Sequence, residues 1–277
     1  MTMNDLETLI AEQPNKTIAV DMCDLETGRE IHMNSDEAFH PASTIKAHVM
    51  MEVFHQMDQG LFSLEDCLPI TNSFTSIVDG KPFSLLQSDD AEQTLYPRIG
   101  ETESIAELTR LMIVRSSNLA TNILLQKVST KNVSGFIQML GIEGVTFIRG
   151  IDDSAAFLRG MNNSATARGL TQTMRLIAKR NVVSEAACDA MIEILLAQEF
   201  NESIPALLPA SVKVAHMTGW TGDVYHDTGI VYAEREQRKP YVLTIMTRGF
   251  PEDQPDEAHA CMAKISKIVY ERLAQPL

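Results

Sequence analysis

Ser43 and Lys46 stand three residues apart in the hexapeptide PASTIK at 41–46, where a segment with helical spacing of apolar residues begins. Positions i and i+3 share one face of a helix, so the serine hydroxyl and the lysine amine are predicted to lie side by side. A serine hydroxyl becomes an effective nucleophile when a neighbouring base takes its proton, and a buried lysine with a lowered pKa can be that base. The alternative is an ordinary capped, solvated helix start, and the motif alone does not decide between the two.

A second group of chemically useful residues is Ser116-Ser117-Asn118, at a turn that leads into a predicted helix. On such a turn a hydroxyl can relay a proton and a carboxamide can hold a substrate amide. Serine and asparagine are also favourable helix N-cap residues, which is the simpler interpretation when the group is considered alone.

The third group is His216-Met217-Thr218-Gly219-Trp220, at the end of a predicted strand. Glycine there lets the backbone approach a ligand closely. The N–H of Trp220 could join that of Ser43 as a pair of donors to a developing oxyanion. The alternative is a strand that simply ends in a turn.

The elements that must position these groups follow from periodicity and turn residues. Strands are predicted at both ends of the chain, and helices dominate between them; the predicted strands are 16–24, 29–34, 212–218, 224–233 and 241–247, and the main helices are 43–57, 102–112, 118–128, 164–180, 184–199 and 255–273. This order predicts an α/β (α+β) fold in which an antiparallel sheet assembled from both termini is flanked by helices. An all-helical lobe is inserted. We expect a single domain over 1–277, with one lobe from about 1–57 plus 205–277 and the other from 58–204.

Composition limits the partners. The formal net charge is −14 and the pI is near 4.9, which disfavours nucleic acid and anionic membrane surfaces because both require a basic footprint. We therefore expect a small-molecule substrate, no nucleic acid and no membrane. No cofactor or metal is expected, because His48, Glu52 and His55 share helical spacing without a recognisable zinc pattern. Scattered cysteines and the lack of a signal-peptide pattern predict a cytoplasmic location.

The order of the three groups along the chain resembles that of the penicillin-recognising serine hydrolases, most closely the class A β-lactamases. The resemblance implies that Ser43 attacks a carbonyl to form an acyl-enzyme, with Lys46 as base or proton relay. It also implies that Ser116 passes a proton to the leaving nitrogen and that Asn118 holds the substrate amide. The substrate would then be bordered by His216, Met217, Thr218, Gly219 and Trp220.

One departure from this family lies on the third group. The family has Lys-Thr-Gly where this chain has Met217-Thr218-Gly219, and a strand position that often carries arginine is Thr228. His216 precedes Met217, but adjacent strand residues point to opposite faces, so His216 is not expected to replace the missing charge directly. The substitution predicts weak binding of an anionic penicillin and a preference for neutral amides or esters.

A second departure lies at 149–163, where class A β-lactamases carry a glutamate that activates the deacylating water. This stretch contains no Glu-x-x-Asn motif, and Asp152 and Asp153 are its carboxylates. They are the possible deacylation bases. The alternative is a solvated pair in a turn, which aspartate commonly forms.

The leading functional hypothesis is therefore a serine hydrolase that cleaves an amide, β-lactam or ester bond through Ser43. A D-alanyl peptidase is the alternative within the same class of enzyme. A ligand-binding or sensor domain that keeps the fold without turnover is the alternative from a different class. The sequence makes no prediction of oligomeric state.

Overall fold

An antiparallel sheet built from both ends of the chain forms the centre of the fold. The computed structural model describes residues 3–233 and 240–274. In chain order its strands are β1 Thr17–Asp24, β2 Glu30–Met33, β3 Ala38–Phe39, β4 Cys67–Pro69, β5 Phe74–Thr75, β6 Pro82–Phe83, β7 Thr102–Ser104, β8 Val145–Thr146, β9 Ser164–Thr166, β10 Lys213–Thr221, β11 Val224–Tyr232 and β12 Tyr241–Arg248. The central sheet has the order β10-β11-β12-β1-β2, so β10 is an edge strand and the N-terminal hairpin closes the other side.

Helices cover both faces of this sheet. They are α1 Met3–Ala11, α2 Lys46–Asp58, α3 Ile105–Val114, α4 Asn118–Val128, α5 Thr130–Met139, α6 Ser154–Leu158, α7 Ala167–Ala178, α8 Glu185–Leu196 and α9 Pro255–Ala274, with 3₁₀ turns at Ala42–Ile45, Gln87–Asp89 and Tyr96–Arg98. Helices α7 and α8 contact one face, while α9, which packs with α1, contacts the other. Because both faces are covered, β11 and β12 are buried along almost their whole length.

Two large hydrophobic clusters hold the layers together. One lies between the sheet and the α1/α9 layer and includes Leu6, Tyr241 and Met262. The larger one surrounds α2 and joins α3, α4, α5 and α8 to β10. Helix α2 is buried along most of its length, so it is the central support of the Ser43 region.

The predicted fold class is confirmed: the sheet is antiparallel, uses both termini and is flanked by helices. The boundaries differ in places, and the predicted helix 164–180 begins only after the short strand β9. The predicted lobe boundaries stay a prediction. Within the described part of the chain, no helix is long and apolar enough to cross a bilayer.

Candidate active site

Ser43 is presented on a short 3₁₀ turn that runs directly into α2. Thr44 closes this turn by donating its hydroxyl to the Pro41 carbonyl at 2.6 Å. Ala42 has a φ of 47°, a left-handed conformation that costs a non-glycine residue about 1 kcal/mol. Ser43 is partly exposed, and its hydroxyl makes no hydrogen bond to another described residue. The serine is therefore accessible at the start of a well-buried helix.

This serine lies on the wall of a cleft of about 740 Å³. The cleft is lined by residues of the Ser43 turn, of the loop before α4, of the 149–163 segment and of the β10–β11 turn: His40, Pro41, Ala42, Ser43, Ile45, Asp89, Asn118, Arg149, Ile151, Asp152, Asp153, Ser154, Phe157, Asn163, Trp220, Thr221, Gly222, Asp223, Val224 and Glu252. Its volume is in the range of small-molecule sites. Five of these residues carry carboxylates and one, Arg149, carries a guanidinium, so the lining is acidic.

Lys46 is fully buried behind the cleft and joins α2 to the turn before α4. Its Nζ donates to the Ser116 carbonyl at 2.6 Å, to Ser116 Oγ at 3.0 Å and to Asn118 Oδ1 at 2.8 Å. These three acceptors match the three N–H donors of an ammonium group. The Lys46 backbone N–H donates to the Ser43 carbonyl, but among the described residues no hydrogen bond joins Lys46 Nζ to Ser43 Oγ, and the amine bonds instead to the Ser116–Asn118 turn.

Burial controls the protonation of Lys46. Desolvation lowers the pKa of its amine to about 7, while the carboxylates of Asp90 and Asp152 act in the opposite direction. Near neutral pH about half of the molecules would hold a neutral amine, which can accept a proton. The lysine therefore has the protonation behaviour that a base or relay requires.

The Ser116–Asn118 turn is fixed by both of its flanks. Ser116 has a φ of 56°, and Ser117 caps α4 by accepting the Ala120 N–H at 3.1 Å. The N-cap interpretation is therefore correct for Ser117, while its two neighbours contact Lys46. The capping residue Ser117 is therefore flanked by two residues that bond to Lys46.

Asp90 is a supporting residue that the sequence interpretation missed. Its buried carboxylate accepts the N–H groups of Asn118 at 3.0 Å and Leu119 at 2.9 Å, at the positive end of α4. The Tyr96 hydroxyl also donates to it at 3.1 Å. In the sequence Asp90 belongs to an acidic pair in a loop rich in proline and glycine, and no local signal indicates its long-range contact.

The end of β10 lies directly against the Ser43 turn. A Cβ added at Gly219 would stand 2.7 Å from the Ser43 nitrogen and 2.8 Å from the Thr44 nitrogen, so a side chain would displace the turn. Glycine permits this close approach to the Ser43 turn, while the predicted approach to a ligand stays a prediction. It brings the Gly219–Trp220 segment beside the backbone N–H of Ser43.

His216 and Met217 were predicted to border the substrate, but the structure places both away from the cleft surface. His216 is fully buried, with Nδ1 2.9 Å from Asp227 Oδ1 and Nε2 3.2 Å from Asn201 Oδ1. Met217 points to the opposite face, inside the large hydrophobic cluster, with its sulfur 3.8 Å from Gln198 Nε2. Strand alternation separates the neighbours, as expected, but it directs neither one into the cleft.

The backbone of the 149–163 segment is held against α4 and against itself. Asn122 both accepts from the Ile151 N–H at 2.8 Å and donates to the Ile151 carbonyl at 2.9 Å. Asn163 accepts the N–H groups of Ile148 and Arg149 at 2.8 and 3.1 Å. These contacts fix the position of the two aspartates that follow.

The two aspartates that were predicted as possible deacylation bases have different environments. Asp153 is buried and caps α6 by accepting the Ala156 N–H; it also accepts from the Ser76 hydroxyl and the Ile77 N–H. Its oxygens are committed to structural contacts, and it is neither a free base nor part of a solvated pair.

Asp152 instead faces the cleft, with a φ of 58° and a solvent-accessible side chain. Partial desolvation raises the pKa of its carboxyl, and the carboxylates of Asp89 and Asp90 add to this, whereas Lys46 and Arg149 oppose it. The interaction with Lys46 places the carboxyl within electrostatic range of the buried amine. Both aspartates line the cleft, but only Asp152 is exposed to solvent there.

Comparison with known proteins identifies the family. The model of the beta-lactamase enzyme family matches residues 1–273. The chain belongs to the beta-lactamase enzyme family. The extended-spectrum β-lactamase PER-1 of Pseudomonas aeruginosa is 20% identical over 252 residues, which cover 86% of this chain and 77% of PER-1.

Solved structures of this beta-lactamase family share the fold. PBP-A is 24% identical with a TM-score of 0.83, and the match covers 98% of this chain and 95% of PBP-A. A PBP-A mutant solved as an acyl-enzyme complex with penicillin G is 25% identical, with the same coverage and TM-score. A β-lactamase from Sphaerobacter thermophilus is 20% identical over the full length of both chains, with a TM-score of 0.83. The predicted family resemblance is confirmed.

Proposed function

We propose that this protein is a serine hydrolase that cleaves an amide, lactam or ester bond through an acyl-enzyme on Ser43. The observation that carries the proposal is the environment of Lys46, which is fully buried and has a pKa lowered to about 7. Its amine bonds to Ser116 and Asn118, and Ser43, three residues earlier in the chain, is partly exposed. A buried lysine with these contacts is suited to proton transfer. The penicillin G acyl-enzyme of the related PBP-A mutant supports the same chemistry here.

In the proposed acylation step, neutral Lys46 takes the Ser43 proton, directly or through Ser116. Ser43 Oγ bonds to the carbonyl carbon of the substrate, and the carbonyl oxygen becomes an oxyanion. The backbone N–H groups of Ser43 and Trp220 donate to it, each contributing about 3 kcal/mol to the transition state. The intermediate then expels the leaving nitrogen or oxygen, which receives a proton from the Ser116 hydroxyl. Protonated Lys46 in turn returns a proton to Ser116.

Asp152 is our candidate for the second step. Its carboxylate faces the cleft, while that of Asp153 is occupied by three donors. Ionised Asp152 would take a proton from a water as that water attacks the acyl carbon. The bond between this carbon and Ser43 Oγ then breaks, Ser43 Oγ regains a proton from Lys46 and Ser116, and Asp152 releases its proton to solvent. The raised pKa of Asp152 means that this base is protonated at a higher pH than an ordinary aspartate, so deacylation should decline at a higher pH than it would with an unperturbed aspartate as base.

The acidic cleft favours neutral over anionic substrates. Met217 is buried in the core and Thr228 shares its hydroxyl with Thr244 at 2.7 Å, so neither supplies a positive charge. Arg149 is the guanidinium of the cleft, but it donates to the Gly150 carbonyl and to Asn162 Oδ1. We expect acylation by a neutral ester to be faster than acylation by a penicillin.

The second candidate function is binding without turnover. It is favoured by one observation: the cleft has a prepared nucleophile, but the carboxylate of Asp152, the candidate base, is solvent-exposed and makes no hydrogen bond to another described residue. A protein of this kind would acylate once and keep the adduct.

Intact-mass measurements over time distinguish these outcomes. The protein is mixed with benzylpenicillin or with p-nitrophenyl acetate, with Ser43→Ala as the control. An adduct that forms and clears, with continued product release, supports the hydrolase. A persistent adduct supports single acylation, and an adduct that survives Ser43→Ala contradicts both functions.

A further inference from the structure

A second cavity lies beside the cleft, between the end of the β10–β11 hairpin and the start of α9. Its volume is about 360 Å³, and its walls are Phe200, Glu202, Thr218, Gly219, Trp220, Gly222, Tyr225, His226, Glu252, Pro255 and His259. We call it the β10 pocket. Trp220, Gly222 and Glu252 line both this pocket and the cleft, so a substrate attached to Ser43 could extend into it.

The aromatic walls of the β10 pocket are already in place. Phe200 and Trp220 meet edge to face, with ring centroids 5.0 Å apart and planes at 75°. Tyr225 and His259 form a similar pair with centroids 5.6 Å apart. Trp220 remains 41% exposed, so its ring is available to a ligand. Aromatic faces of this kind attract cations as well as apolar groups.

Two contacts anchor the loops that carry the acidic residues of the pocket. Ser203 Oγ lies 3.0 Å from His259 Nδ1, which ties the loop of Phe200 and Glu202 to α9. The Tyr225 hydroxyl donates to the backbone carbonyl of Glu252 at 3.3 Å. The two acidic residues that line the pocket therefore lie on anchored segments.

The charges of the described lining have one sign. Glu202 and Glu252 are exposed at the pocket, and no lysine or arginine is present among its described lining residues. Burial lowers the pKa of His226 to about 4, so its imidazole is neutral at physiological pH. An anionic group would meet two carboxylates there and no compensating guanidinium or ammonium.

Thr218 provides an independent indication of a ligand. It lines the pocket with only 6% of its surface exposed, and its buried hydroxyl has no hydrogen-bond partner among the described residues. A buried hydroxyl without a partner is costly, and a donor placed in the pocket would satisfy it.

We propose that the β10 pocket binds an alkylammonium group of the substrate. The ammonium would lie against the Trp220 ring between the carboxylates of Glu202 and Glu252 and donate one N–H to Thr218 Oγ1. The inference rests on the proposed hydrolase function, which it narrows to amides or esters that carry a positively charged side group. Substrates with a carboxylate at this position would be disfavoured.

Binding can be tested without catalysis because Trp220 is the only tryptophan in the sequence. The Ser43→Ala protein is titrated with Nα-acetyl-lysine amide or with Nα-acetyl-norleucine amide, which has a side chain of similar length without the ammonium. Tryptophan fluorescence reports occupancy. We expect the lysine derivative to bind at least about threefold more tightly, with a preference that weakens as NaCl is added.

Substitutions in the β10 pocket test whether its two glutamates cause the preference for the lysine derivative. Glu202→Gln combined with Glu252→Gln should weaken binding of the lysine derivative by about threefold to tenfold and leave the affinity for the norleucine derivative unchanged. Glu65→Gln is the control, because it removes one carboxylate charge from an exposed loop residue outside both cavities. Equal binding of the two derivatives, no binding of either, or a lysine preference that survives the double substitution would overturn the proposal.

Kinetics with the active protein separate this proposal from the hydrolase function. The p-nitrophenyl esters of Nα-acetyl-lysine and Nα-acetyl-norleucine are compared by p-nitrophenol release. A larger kcat/KM for the lysine ester, abolished by the double glutamine variant, supports the inference. Equal turnover of both esters retains the hydrolase and rejects the ammonium pocket. Selective fluorescence binding without turnover of either ester retains the pocket and rejects the hydrolase.

Discussion

The two sides of the cleft are prepared to different degrees. On the side of α2 and α4, Lys46 is fully buried, bonded to three acceptors on one turn and supported by the carboxylate of Asp90 behind that turn. On the side of the 149–163 segment, the exposed carboxylate belongs to Asp152, and this carboxylate makes no hydrogen bond to the described residues. Groups fixed in position before the reaction stabilise a transition state better than groups that must be ordered during it.

This difference assigns the two steps of the proposed reaction to two regions. Acylation uses the ordered side, and deacylation depends on a single exposed residue. We therefore expect the acyl-enzyme to accumulate, with the pH dependence of each step set by a different group. The following experiments test that division.

Ser43→Ala should have the largest effect. Removal of the nucleophile should lower turnover by more than about a thousandfold and abolish the covalent adduct. Ser211→Ala changes an exposed serine outside the cleft and should behave as the parent protein. Turnover of an ester and the intact mass are measured on both variants, and an adduct on Ser43→Ala would show that another residue is the nucleophile.

Lys46→Met should lower the acylation rate by about a hundredfold to ten-thousandfold, because it removes the proposed base and keeps an unbranched side chain. In the parent protein the acylation rate should rise with pH through about 7, as Lys46 loses its proton. Single-turnover rates from pH 5 to 9 measure both effects. A parent profile that does not rise near 7, or one that Lys46→Met retains, would remove Lys46 from the proton transfer.

Asp152→Asn should slow deacylation by about tenfold to a hundredfold and change acylation by less than about threefold. Asp153→Asn is the matched neighbour: asparagine can still cap α6, but its amide nitrogen replaces one of the two oxygens that accept from Ala156, Ser76 and Ile77, so the melting temperature should fall without a selective effect on deacylation. Loss of adduct is followed by intact mass after excess substrate is removed. If the two variants release the acyl group at the same rate, Asp152 is not the base.

The pH dependence of deacylation has a defined sign. Because the pKa of Asp152 is raised, the fraction that is ionised falls earlier on acidification than for an ordinary aspartate. Deacylation should therefore decline as the pH falls through that raised pKa, while it stays constant above it. Asp152→Asn should remove this decline, and a decline that persists in the variant would assign it to another group.

The sequence predicts the ordered side of the cleft better than the other side. The Ser43 segment, the Ser116–Asn118 turn and the close approach at Gly219 depend on local spacing and on glycine geometry, so they can be recognised from a few residues. The fold class follows from strands at both ends and helices between them. The roles of the site residues, the lobe boundaries and the cytoplasmic location stay predictions.

Features set by tertiary packing could not be read from the chain. Asp153 is equivalent to Asp152 in the sequence, and only its contacts with Ser76 and Ile77, more than seventy positions away, show that it is structural. The burial of the Met217 side chain likewise depends on the helices that pack against β10. Local patterns do not determine which face of an edge strand meets a neighbouring helix.

Asp90→Asn should have the smallest and most specific effect on the reaction. Its carboxylate raises the pKa of Lys46, so its removal should shift the acylation profile to lower pH and leave the plateau rate within about threefold. Loss of a charged acceptor at the start of α4 should also lower the free energy of unfolding by about 1–3 kcal/mol. Denaturant unfolding and single-turnover rates are measured together, with Asp189→Asn on α8 as the control at a half-exposed surface ion pair. A destabilised variant with an unshifted profile would show that Asp90 supports the turn without influencing Lys46. A shift of the same size in Asp189→Asn would show that the profile responds to net charge rather than to the carboxylate beside the amine.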